Sequence, residues 1–288
     1  MTTPSILSAA SHGKRGYLRL GFEQDSRGRS ILRDLYRGAP LIVQQALYFD
    51  EQMPLLPCVY ILSAGGPMVE GDRFEQHIRM RPDSCAHIST GAATKVAQMR
   101  GGEARLWQRI TLDRNSYLEY IPEAVIPCRG ARYTAKTEVV ADDSATLFFS
   151  DIVMSGRRHS GERFCYERLS LGTRVVRPNG EVVYTDNLHI EPEHSPPHLK
   201  GVMAGYEVFG SVLILSTNDT AQALFNELQP YMRPDMALGV NLLPFGAGLG
   251  CRILGQERAA VKAEIRRICS ALRLRVKGVP LPEEFVWK

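Results

Sequence analysis

Short apolar-alternating segments separated by polar turns occupy most of this chain, and one such unit recurs. His77–Thr90, Arg109–Pro122 and Thr137–Ser150 each read as a strand, a polar turn ending in serine, and a second strand. The turn serines are Ser84, Ser116 and Ser144, a spacing of about 30 residues that belongs to a stacked supersecondary unit. Period-2 alternation bounded by turn residues predicts strands, joined by hairpins or tight strand corners. Tyr17–Phe22 and Ser30–Tyr36 flank the turn Asp25–Gly28, and Thr173–Arg177 and Glu181–Asp186 flank Pro178–Gly180. The Asn-Gly pair in the second turn is the strongest short hairpin signal.

Residues 17 to about 216 therefore read as mainly β, in layered or helically coiled sheets. Helical periodicity is confined to the last third. Thr220–Tyr231 has an Asn/Asp/Thr start and stops near Pro230, and Gln256–Arg275 sets Val261, Ile265, Ile268 and Leu272 on one face. The expected organisation is a loose N-terminal tail over 1–16 and a single domain over 17–288, with β-rich repeats to 216 and a mixed α/β part after it.

The segment after each repeat is chemically distinctive: Thr90–Lys95, then Pro122–Gly130, then Asp151 with its arginines. Stacking of the units would set Thr94, Glu123 and Asp151 in one column. The third of these ends belongs to Ser150–Phe164, SDIVMSGRRHSGERF. There an acid opens an apolar strand, and a Gly-Arg-Arg/Gly-Glu pair of turns closes it. Such a run either emerges at a surface or carries charge to a buried site; charge directed inward is the better reading. Arg157 and Glu162 are expected to pair with each other or with carbonyls, orienting the turn after Asp151.

Composition bounds the rest. The 288 residues are 44% hydrophobic and 23% charged, as in an ordinary globular protein, and no run approaches the roughly 18 apolar residues of a membrane span. The N-terminus lacks a charged start followed by a long apolar core, so no secretory signal is read and a cytoplasmic location is expected. The net charge of +4 is mild and its cations are scattered. Only the C-terminal helix, with Arg258, Lys262, Arg266, Arg267, Arg273 and Arg275, offers a concentrated basic patch, read as solvated or as docking an acidic partner; neither nucleic acid nor membrane is an expected partner. Six cysteines without a C-x-x-C pair read as free thiols of a reducing compartment.

Most local signals favour structure over chemistry. Gly65–Asp72 and Gly91–Lys95 lack the spacing of phosphate or dinucleotide loops, and turns that need glycine explain them. In His194–His198 two prolines exclude the helix that would align the imidazoles. Cys85 and His87 share a strand face but supply only two ligands. No nucleophile elbow is present. The carboxylates Asp72, Glu123, Asp151, Glu162 and Asp186 remain, and scattered oxygen ligands suit a divalent metal in transit better than one in storage.

Gly71-Asp72, Ala93–Lys95, Glu119–Pro122 with Pro127 and Gly130-Ala131, Asp151 through Gly156-Arg157, Gly161-Glu162 with Phe164, and Thr185–His189 occur in one order. In register they resemble the urease accessory protein UreD family, called UreH in some bacteria, from about residue 15 to 200 with a weaker remainder. The resemblance implies a mainly β, helically coiled fold and a non-enzymatic maturation factor. Such a protein binds urease structural subunits on one side and UreF on another, and reaches the nickel-carrying GTPase UreG through UreF. It also implies a water-filled tunnel for nickel in transit, with no tightly bound cofactor. The implicated positions fall on Asp72, Asp151 and Asp186 as transient metal ligands and Thr94 as tunnel lining, with Lys95, Glu123, Arg157 and Glu162 in support. At Asp72 the glycine spacing departs from the family pattern, and at Asp186 the family often has glutamate. Two rival readings are a docking-only adaptor and a carboxylate-dependent metalloenzyme.

Overall fold

Strand corners, not hairpins, join the two halves of each repeat. In the computed structural model, which describes residues 13–282, the chain opens with β1 (Arg15–Gln24) and β2 (Ser30–Gly38) in a first sheet. β3 (Leu41–Ile42) and β4 (Cys58–Ser63) lie at one edge of a second. The chain then shuttles between them. β5 (Arg73–Met80) is followed by β6 (Cys85–Thr90) and the short β7 (Thr94–Val96); β8 (Ala104–Leu112) by β9 (Tyr117–Ile121) and β10 (Val125–Pro127); β11 (Arg132–Ala141) by β12 (Thr146–Met154). β13 (Arg168–Val176) and β14 (Val182–Ile190) close the first sheet as an antiparallel hairpin over Asn179-Gly180. β15 (Val208–Leu215), α1 (Asn218–Glu227), β16 (Tyr231–Met232), β17 (Met236–Leu242), β18 (Gly248–Gly255) and α2 (Arg258–Lys277) follow among the described residues.

The first sheet has the order β14-β13-β11-β8-β5-β1-β2 and the second β16-β17-β18-β15-β12-β9-β6-β4-β3. β5, β8, β11 and β13 pair in parallel, as do β4, β6, β9 and β12. This is a coiled, solenoid-like stack, as the repeat requires. Its corners explain the serines. Ser84 and Ser116 each donate a hydroxyl hydrogen bond to the carbonyl three residues earlier, at 2.7 and 2.6 Å. The amides of Tyr117 and Thr146 then donate to the carbonyls of Ser84 and Ser116, stitching one corner to the next. Asp83 and Asn115 adopt positive φ at two corners, a conformation their side chains tolerate better than most.

One apolar cluster fills the space between the sheets, with Leu18, Ile78, Ile110 and Val139 from the first meeting Ile88, Leu118, Phe149 and Leu213 from the second. A smaller cluster packs α1 and α2 on the opposite face of the second sheet. There Val261, Ile265, Ile268 and Leu272 are fully buried, the face read from the helical period. α1 stops before Pro230, and the segment read as its last turn becomes β16. Of the stretch read as a loose tail, residues 1–12 lie outside the described residues, whereas Arg15 and Gly16 already belong to β1.

Two expectations about charge change. Arg273 is not part of a solvated helix face: it is fully buried and pairs with Asp50 and Glu119. Asp50 lies in the loop between β3 and β4, a connection no local pattern reveals. The cations outside α2 are not scattered in space either. Parallel stacking sets Arg15, Arg73 and Arg105 side by side across β1, β5 and β8, on the face of the first sheet turned away from the core.

Candidate metal path between the sheets

A polar seam crosses the apolar core. In β5, β8 and β11 the inward-facing positions are apolar except for Gln76, Gln108 and Thr137, which occupy one row of the ladder. The row continues through Thr173 on β13 to Asp186 on β14. Its buried side chains bond to one another within the seam. Gln108 donates to Gln76 Oε1 at 3.1 Å and to the Tyr120 hydroxyl at 2.7 Å, and Thr137 donates to Gln108 Oε1 at 3.0 Å. Buried polar groups bonded to one another hold one geometry. The second sheet answers with a row of its own: Asp151 on β12 lies beside Ser211 on β15, which lies beside Arg252 on β18.

Cavities follow the seam. One of about 160 Å³ is lined by Ser63, Met68, Gln76, Thr94, Lys95 and Tyr133 among others. A narrower one of about 60 Å³ shares Gln76, Thr90, Thr94, Leu106 and Tyr133 with it and is also lined by Gln108, Glu123, Asp151 and Thr173. A water needs roughly 10–15 Å³ of such space and two to four polar partners, so this cavity has room and partners for a few. A third, of about 460 Å³, opens between β14 and the β17–β18 turn, with Tyr184, Asp186, Asn241 and Arg252 in its walls. Asp186 is ion-paired to Arg252 at 2.5 Å.

Asp151 is the chemically unusual member. Its carboxylate makes no hydrogen bond among the described residues, and burial raises its pKa from 3.8 to about 7; Asp186 pushes in the same direction and Arg252 opposes both. Thr94, Glu123 and Asp151 do line one cavity. β7, β10 and β12 place Thr94, Val125 and Val153 side by side, with Glu123 and Asp151 two residues before the last pair. Glu123 sits where this cavity meets a groove beneath α2 and is ion-paired to Arg258 at 2.8 Å and to Lys262. Lys95 lines the first cavity from an exposed position.

The remaining positions do not line these cavities. Asp72 is fully buried, and its carboxylate accepts the amides of Lys14 at 2.7 Å and Val69 at 2.9 Å and pairs with the Lys14 ammonium at 3.1 Å. It is absent from the linings of these three cavities. Arg157 and Glu162 form the expected bidentate pair. That bond and the Arg129 amide hold the Glu162 carboxyl down to about 2. Gln76, Gln108, Tyr120, Thr137, Thr173, Ser211 and Arg252 are members of the seam that sequence reasoning misses. For Gln76, Gln108 and Thr137 a signal exists: a polar residue at the inward parity of successive sister strands.

A second buried polar cluster lies under α2. Glu119 accepts from the Tyr117 hydroxyl at 2.5 Å and bonds His87 at 2.7 Å, with Arg273 at 3.4 Å. Burial opposes ionisation of Glu119, but His87, Arg273 and Tyr117 outweigh it and hold the carboxyl below its usual range.

The family model described as UreD urease accessory protein matches residues 14–288. A protein of Brucella suis biovar 1 named Urease accessory protein UreD 2 is 41% identical over 288 residues, covering 99% of this chain and 95% of the relative. One of Methylorubrum populi named Urease accessory protein UreD 3 is 38% identical over 292 residues, covering 100% and 94%. With a coiled β architecture and a match over nearly its whole length, the chain belongs to the UreD urease accessory protein family.

Proposed function

We propose that this chain is a non-enzymatic factor of urease maturation that conducts nickel along the seam between its two sheets. The names of its relatives support the maturation role. The family resemblance supports docking to the urease structural subunits and to UreF, reaching UreG through UreF, in the cytoplasm. Among the described residues no helix is long and apolar enough to cross a membrane, and no group of three or more histidine, cysteine or acidic side chains could hold a metal.

The observation that carries the conduit is Asp151. An acid without hydrogen-bond partners among the described residues, facing a cavity with room for a few waters, offers a divalent cation one attractive carboxylate and nothing that closes around it. A cation handed onward needs weak, successive contacts of this kind. Gln76, Gln108 and Thr94 supply neutral oxygens toward one end, and Asp186, held by Arg252, supplies the second charge at the other. The Arg252 guanidinium keeps Asp186 from acting as a trap, because part of its charge is already neutralised. A proton on Asp151 competes with the metal, since the carboxyl titrates near pH 7.

Asp151→Ala tests this reading. Wild-type retention of UreF together with urease left inactive is the expected result, and full urease activation overturns the conduit. A docking-only adaptor expects the opposite ranking, with charge reversal on α2 more harmful than any change at Asp151.

A further inference from the structure

The first sheet has one face on the core, and on the other the outward side chains of β5, β8 and β11 are exposed or half-buried. Four rings cross that outer face in a continuous row over β2, β1, β5 and β8. Tyr36 meets Tyr17 at 5.4 Å, Tyr17 meets His77 at 5.3 Å, and His77 meets Trp107 at 5.2 Å between ring centroids. Tyr36, at the edge, is 55% exposed. Cations surround the row. Arg15, Arg19, Arg73, Arg109, Lys136 and Arg174 are exposed on it and form no ion pair among the described residues.

Their arrangement is unfavourable for a free surface. Arg15, Arg73 and Arg105 are direct neighbours in the ladder, and Arg19 and Arg109 flank His77 in another row. Like charges directly opposite one another on a sheet are destabilising. This holds for Arg15, Arg73 and Arg105, of which only Arg105 has an ion-pair partner among the described residues, Glu103, whereas Arg109 lies opposite Glu138. A negative surface laid over the face would relieve that repulsion. Rigid aromatics ringed by arginine are also the composition of binding hot spots.

We propose that this face, centred on Tyr17, His77 and Trp107 and framed by Arg19 and Arg109, docks an acidic protein surface of the maturation assembly. The proposal rests on the maturation reading for the existence of that assembly. A second copy of the chain would bring two basic faces together. Nucleic acid fits less well. Tyr17 and Tyr36 cross at 72° and His77 and Trp107 at 77°, so the rings close on one another instead of offering faces to bases. Glu75 and Glu138 also sit among the cations.

The test co-expresses the full chain with the cognate urease apoprotein and, separately, with UreF, and measures complex recovery and affinity. Three forms are compared: wild type, Arg19→Glu with Arg109→Glu, and a matched reversal elsewhere, Lys200→Glu with Arg233→Glu. The first reversal is expected to weaken one of the two complexes about tenfold or more, with an unfolding midpoint near wild type. The matched reversal should leave that complex unchanged, and the wild-type complex should weaken as salt rises. Trp107→Ala gives a second variant that changes no charge. Wild-type complexes that survive the Arg19/Arg109 reversal overturn this proposal and leave the maturation reading intact. Failure of the wild type to retain either partner overturns both. Binding of a fluorescent DNA duplex that the reversal abolishes, with both protein complexes unaffected, assigns the face to nucleic acid and also overturns it.

Discussion

Asp151 illustrates how a single side chain can oppose the fold that holds it. Its carboxyl titrates near 7 in the folded chain against 3.8 when exposed. Between those values the folded state binds more protons than the unfolded one, so this group's contribution to stability falls as pH rises and is most unfavourable above pH 7. At about 1.4 kcal/mol per pH unit the penalty approaches ~4 kcal/mol, less where cavity water solvates the charge. Asp151→Asn is expected to raise the unfolding midpoint at pH 8 and to leave it nearly unchanged at pH 4, as differential scanning fluorimetry at the two pH values would show. Nickel delivery should fall in the wild type as pH drops below 7, because a protonated carboxyl cannot attract the cation. Arg273 presents the converse case. Removing it leaves Asp50 and Glu119 buried without their cation, so Arg273→Met is expected to destabilise by about 3–5 kcal/mol. Adding Asp50→Asn should recover part of that loss in urea unfolding.

Within the repeats, local sequence and final structure agree because each corner is built from its own residues. Ser84 and Ser116 bond carbonyls three positions away, so their role is legible in a short window. The same holds for the Asn179-Gly180 hairpin and for the buried stripe of α2. The turn after β12 is equally local. Gly156 has φ of +139°, and a Cβ there would approach the Glu162 carbonyl oxygen at 2.5 Å. Gly156→Ala is therefore expected to lose about 1–3 kcal/mol and to break the Arg157–Glu162 clasp, seen as a lower urea midpoint. Contacts between distant elements are not legible. Arg252 joins Asp186 across 66 positions and Arg273 joins Asp50 across 223, and nothing in either neighbourhood names its partner. The seam lies between these extremes. Gln76, Gln108 and Thr137 break the inward apolar parity at matching places in three sister strands, a pattern visible once the repeat is aligned but weak in any one strand.

At the scale of the molecule, coiling converts sequence repetition into three continuous surfaces. Inward positions give the core and its polar seam. Outward positions of the second sheet give the bed for α1 and α2, and outward positions of the first give the basic, aromatic face. A net charge of +4 spread along the sequence thus becomes local because strands about 30 residues apart are neighbours. The seam runs between the sheets and the basic face lies outside them, so the proposed metal conduction and the proposed docking are separable by mutation. The measurement that tests conduction most directly is the nickel content of urease purified after co-expression with UreF, UreG and either the wild-type chain or Asp151→Asn. The conduit account expects the complex with the Asn variant to assemble normally while urease nickel falls several-fold at neutral pH. Wild-type nickel content in the Asn variant would contradict it.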